Sequence, residues 1–372
     1  MNNPLSDYSL LSYYRTVQNL FEILLAIGQS GSAALAQPRV PPFLFYSLFS
    51  FLCIHSSCVI PDMNAKRIFA YLVFFQPIHY FLYEMKRIRI TLVCVLMLTL
   101  PLPLLFSEAI SAEAQKEIDG FMTLRMNLAS SASPETALSE IEAYAAEHFS
   151  ESALASFTDE EKLIFENFKI LEQYNYMRQI PSMEGSLKSL IRTQYDKNDA
   201  YFSAHKNGTI NKWLWSTAAD MLSCNLSYAT VGVIMRDGIA VKKYYEKALN
   251  EDPAMSYALT NIAQWYYFAP SIGGGSKTKA GEYFERAVRD ARTDAETYFA
   301  KIFLSQFLFD DKAQKAESAK LLDEADALQR GGSYIAWIKK VNKAGYSLLE
   351  YNAKKMTPDN IEKKLAKQND SF

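Results

Sequence analysis

The sequence predicts an all-α fold built as a row of helical hairpins, and three observations lead there. From Ala112 onward apolar residues recur at helical spacing in one segment after another. Glycine and proline are sparse, 14 and 13 in 372 residues, and gather at a few breaks. No stretch alternates as a half-buried strand would. The net charge of −2 and the apolar fraction of 49% belong to a foldable chain without the basic run that nucleic-acid binding needs, so no nucleic acid is expected among the partners.

The first element is not part of that fold. Residues 1–84 form an apolar segment with runs at 43–60 and 68–83. From Met85 the chain reads MKRIRITLVCVLMLTLPLPLLFSEAISAEA, with Lys86, Arg87 and Arg89 ahead of an apolar core and small residues behind it. This order is that of a secretory signal peptide, spanning 85–112, with cleavage after Ala109 or after Ala114. The product is expected to be exported, to the periplasm or cell envelope. Two readings of residues 1–84 stand side by side: an over-extended reading frame, or a membrane anchor. The anchor's runs lie near the roughly 17–20 residues a span requires, and Pro77 interrupts the second. A membrane is expected as a partner only through that segment. Cys53 and Cys58 flank His55 in an apolar run, where the thiols read as small hydrophobes rather than metal ligands. Cys224 is the one thiol beyond residue 112, so the body holds no internal disulfide.

The N-terminal helical part, 113–239, has legible starts. Ser133-Pro134 opens one helix, with proline at the first helical position where its missing donor does no harm. Thr158-Asp159-Glu160-Glu161 is a capping box. The helix behind it carries Ile164, Phe168, Leu171 and Tyr174 on one stripe and ends before Pro181. Two further helices are predicted around 187–195 and 212–228, followed by a turn at Gly232 and Gly238.

Residues 240–328 repeat themselves. AVKKYYEKALNEDP and AGEYFERAVRDAR each place a small or short residue, an aromatic four positions on, and an alanine three later: Val241, Tyr245 and Ala248, then Ala280, Phe284 and Ala287. Between them SYALTNIAQWYYF carries Leu259, Ile262, Ala263 and Tyr266. In these positions the chain resembles the tetratricopeptide repeat family, the first segments matching its second helix and the middle one its first. Pro253 stands at the family's turn proline, while the next unit has Arg292 there and a loop, PSIGGGSK, longer by about five residues. A weaker unit pairs 298–309 with Ser318, Leu322 and Ala325. The resemblance implies a tetratricopeptide-like α-α solenoid or bundle of about ten helices. Residues 329–372 would form its C-terminal cap and tail, because an end repeat needs a cover.

Catalytic and cofactor chemistry find little support. SIGGGSKT, residues 271–278, has the glycines and the lysine of a phosphate loop, but Ser276 stands where that motif needs glycine and a helix precedes it in place of a strand. His148 and His205 are isolated, Cys224 has no histidine near it in sequence, and the acidic pairs at 159–161 and 324/326 read as helix starts and solvated faces. The expectation is therefore a non-enzyme, with no cofactor and no metal, that works by binding.

What the resemblance implies about binding is specific. First-helix residues that face the family's groove correspond to Tyr257, Thr260, Asn261, Gln264, Tyr267 and Phe268, with Asn261 where some members grip an extended peptide backbone. Tyr267 and Phe268 read equally well as core. The expected partner is a protein or peptide held by a scaffold. A second expectation comes from similarity to tetratricopeptide components associated with TRAP-type solute transporters. It is a small-ligand or transporter component, with a pocket lined by Trp213, Trp215, Trp265 and Tyr266. A third is a membrane-anchored repeat protein.

Overall fold

The computed structural model describes residues 110–369, apart from 330, 331 and 355, so residues 1–84 and the signal-peptide segment as far as 109 lie outside the described residues. Among the described residues there are thirteen α-helices and no strand. The first five are α1 (Ala112–Leu128), α2 (Pro134–His148), α3 (Asp159–Met177), α4 (Glu184–Ala204) and α5 (Lys212–Leu226). Then come α6 (Val231–Glu251), α7 (Ser256–Phe268), α8 (Lys277–Asp290), α9 (Asp294–Phe309) and α10 (Lys315–Gln329). The chain closes with α11 (Ser333–Lys343), α12 (Leu348–Ala353) and α13 (Pro358–Asn369). No described helix is long and apolar enough to cross a membrane.

Local chemistry sets the starts. Pro134 occupies the first turn of α2 behind Ser133, whose hydroxyl accepts from the Thr136 amide. Thr158 and Glu161 satisfy each other's free amides at the head of α3. Glu161 also accepts from the Ser111 amide at 2.7 Å, which ties the start of α1 to the start of α3.

The closest pairings are α5 with α6, α7 with α8 and α9 with α10, three antiparallel hairpins in a row. The repeated triads explain why they close. Val241, Tyr245, Ala248, Ala280, Phe284 and Ala287 are all wholly buried. Alanine lets two helix backbones approach, and the aromatic fills the wedge to the next hairpin, as where Phe284 and Phe303 stack with ring planes 4° apart. Ser256 and Ser305 donate to the carbonyls of Ala287 and Ser318 across the second and third hairpins, both at 2.8 Å.

Two expectations change. The row begins one helix before the repeat that the sequence displays, since α5 is the partner of α6. The predicted turn at Gly232 and Gly238 is absent, because α6 runs unbroken from Val231 to Glu251. Gly238 is buried there, and its carbonyl accepts the Trp265 indole N–H at 3.1 Å. The missing side chain thus serves a helix-helix contact and makes no break.

Ahead of the hairpins, α2 packs on α3, and α3 and α4 pack on each other and on α5, with an amide cluster where α3, α4 and α5 meet. Asn167, Gln194 and Asn198 join one another at 2.8 Å, and Asn167 also donates to the Thr217 hydroxyl at 3.0 Å. Behind the hairpins, α12 reaches back to α9, where Gln306 accepts from the Leu348 amide at 2.8 Å.

Candidate functional site

The helices that open each hairpin present one continuous aromatic face. Phe168 of α3, Trp213 of α5 and Tyr257 of α7 follow one another with ring centres 5.8 Å apart, and Phe299 of α9 extends the line. The chain's own helix α1 lies on this face. Near its start Gln115 accepts the Trp213 indole N–H at 3.0 Å. Midway, Phe121 packs against Phe168. Further on, the Arg125 guanidinium sits 5.6 Å from the centre of Tyr257 and 5.2 Å from that of Phe299. Its end is tied to the C-terminal helices: Gln329 donates to the Met126 carbonyl, and Ser333 and Tyr334 donate to that of Ala129 at 2.9 and 3.2 Å. Between α1 and the face, the crevice lined by Met122, Tyr257, Asn261 and Phe303 has only about 20 Å³, space for about one water.

Arg125 reaches a buried charge cluster. It forms an ion pair with Glu172 of α3, both side chains under a tenth exposed. Asp220 of α5 is buried beside them, and its two oxygens accept the hydroxyls of Tyr245 and Tyr257, each at 2.5 Å. Burial pushes the Asp220 carboxyl up to about 6, against the downward pull of those two hydroxyls and of Arg125. Burial, and after it the nearby Asp220 carboxylate, holds the Tyr257 hydroxyl well above the usual tyrosine range, so it stays a donor. A full positive charge inside the apolar seam is tolerated because two acidic groups and two ring faces surround it.

The residues singled out from the sequence separate into two places. Tyr257 and Asn261 line the crevice under α1 together with Thr260. Gln264, wholly buried, donates to Asn261 within α7. Tyr267 and Phe268, at the other end of α7, line a different cavity of about 520 Å³ with residues of α9, α10 and α12. Sequence reasoning did not reach Asp220, Arg125 or Glu172. The one available signal was a set of charged residues inside otherwise apolar helix faces.

The four rings expected to line one carrier pocket fall into separate clusters. Trp213 joins Phe168 and Tyr257, Trp215 stacks on Phe202 with the Lys247 ammonium 3.7 Å above it, and Trp265 packs edge-on to Tyr266. His148 stacks on Tyr144 and meets Glu117 at 3.0 Å, while His205 stacks on Tyr201, so each is occupied locally. Among the described residues no three His, Cys, Asp or Glu side chains converge as a metal site would require.

The glycine-rich loop is a tight connection. Gly274 takes φ +96°, and a Cβ on Gly275 would stand 1.7 Å from the Ala269 carbonyl oxygen, so only glycine fits both positions. Ser276 then caps α8 by accepting from the Lys279 amide. Gly275→Ala is expected to cost about 1–3 kcal/mol or more, since the loop has to move off α7, read as a lower thermal midpoint. An unchanged midpoint would mean that the loop re-routes freely.

No protein-family model, no curated protein and no solved structure matches this chain.

Proposed function

We propose that this protein is a non-enzymatic, exported tetratricopeptide-type scaffold that docks a protein partner on the outside of its hairpin row. The observation that carries the reading is the placement of its exposed apolar side chains. Met235, Ile239 and Ile272 are 58, 43 and 85% exposed, and each lies within three residues of a glycine that meets the Trp265 indole. Trp265 donates to Gly238, between Met235 and Ile239 on α6, and its other edge faces Gly274 in the loop that carries Ile272. Three exposed apolar side chains on segments joined through one buried ring favour a docking patch, where scattered single ones would mean nothing. The inner face is the complementary argument. It holds an amphipathic helix of the same chain, the helix-in-groove mode of recognition turned inward, which leaves the outer patch to the partner.

The test places a photo-crosslinking phenylalanine analogue at Ile239 or, separately, at Asn261 in the natural envelope. Position 239 is expected to trap a second polypeptide and position 261 only α1 of the same chain. A partner trapped at 261 and none at 239 would move the docking face inward; none at either would end the scaffold reading. Intact mass and N-terminal sequence of the same preparation test export, with a start between 110 and 115 expected.

A further inference from the structure

The cavity at the far end of α7 has a chemistry that the scaffold reading leaves unused. Its volume of about 520 Å³ lies in the range of small-molecule sites. Tyr267, Phe268 and Phe309 supply apolar walls. Four lysines and two carboxylates stand round it, an excess of two positive charges.

The carboxylates are engaged. Asp310 accepts the Tyr267 hydroxyl at 2.6 Å, and Glu350 pairs with Lys354 at 2.5 Å. Lys277, Lys312 and Lys315 have no carboxylate within ion-pair distance among the described residues. Two of them lie over ring faces instead, Lys277 5.0 Å from the centre of Tyr267 and Lys315 4.5 Å from that of Phe309. Helix stability does not account for them. Lys354 follows the end of α12, where the negative pole of the helix favours a cation, but Lys277 and Lys315 are the first residues of α8 and α10, the end that disfavours one. Three ammonium groups therefore face a cavity with aromatic walls, and Asp310 is the one lining carboxylate outside the Glu350–Lys354 pair, which leaves the excess of two positive charges.

We propose that this cavity binds a small organic anion with an apolar body, its charged heads held by Lys277, Lys312 and Lys315 and its body laid against Tyr267 and Phe309. Lysine suits that task because its ammonium group is a point charge on a flexible stem that donates to carboxylate or phosphate from several directions. Aromatic walls add selectivity for a ligand with an apolar face.

Calorimetric titration of the full chain tests this with naphthalene-2,6-dicarboxylate, inorganic phosphate and uncharged naphthalene-2,6-dimethanol. The dicarboxylate is expected to bind one per chain, to weaken as salt is raised, and to lose at least ten-fold in affinity in the K277Q/K315Q variant. The diol is expected not to bind. In the unaltered chain the dicarboxylate should also shield Lys277, Lys312 and Lys315 from acetylation, but not Lys320, which lies on α10 away from the cavity. No saturable binding, or shielding that spares the three lysines, overturns the site. Phosphate binding as tightly as the dicarboxylate overturns the part assigned to the apolar body.

Discussion

Replacing Arg125 by methionine is expected to lower the unfolding free energy by about 3–5 kcal/mol, the usual cost of removing one partner from a buried ion pair. Methionine keeps most of the volume, so the loss is electrostatic: Glu172 and Asp220 remain buried with no cation between them. The double variant Arg125→Met with Glu172→Met is expected to recover most of that loss, because a well-packed apolar pair often does as well as a buried ionic one. Urea unfolding of the three chains checks both statements. A loss under about 1 kcal/mol in the single variant would mean that water reaches Glu172 and that α1 is not sealed on the aromatic face. The result also bears on function, because this cluster is the charged one of the contacts that hold α1 on the inner face.

How much of this was legible before the structure follows from where each contact falls along the chain. The hairpins were readable because their packing is periodic. Val241, Tyr245 and Ala248 recur as Ala280, Phe284 and Ala287, and all six are wholly buried. The start of the row was not, because Gly232 and Gly238 carry the signature of a break while Gly238 serves a contact with Trp265, 27 residues away. The cover on the inner face was hidden for a stronger reason. In sequence Arg125 is an ordinary basic residue in the last turn of a helix, and nothing local links it to Glu172, 47 positions on. Tyr267 and Phe268 were found as aromatics at the end of a first helix, but the lysines beside them come from separate elements that meet only in the folded chain.

Asp220 sets the second large effect, and its sign runs against the usual acid behaviour of proteins. Its folded value of about 6 lies above the ordinary 3.8, so the folded chain binds this proton more tightly than the unfolded one. The stability it contributes is complete below about pH 4 and is lost as pH rises through 6, a difference of about 3 kcal/mol. Asp252 works the other way. The Arg292 guanidinium, bound through two hydrogen bonds, and then the Lys212 ammonium hold its carboxyl well below 3.8 despite partial burial. Its contribution is present above pH 4 and is lost in stronger acid. The total curve mixes such terms, but the difference between the natural chain and Asp220→Asn isolates one. Asparagine can accept from one tyrosine hydroxyl and donate to the other, so the site stays hydrogen-bonded without a titrating group. Measured by urea at half-unit steps from pH 4 to 8, the natural chain is expected to lose about 3 kcal/mol relative to the variant, most of it between pH 4 and 6. Parallel curves would mean that Asp220 is ionised at its ordinary value in the folded chain, and that the two tyrosine hydroxyls and Arg125 offset the whole cost of burying its charge.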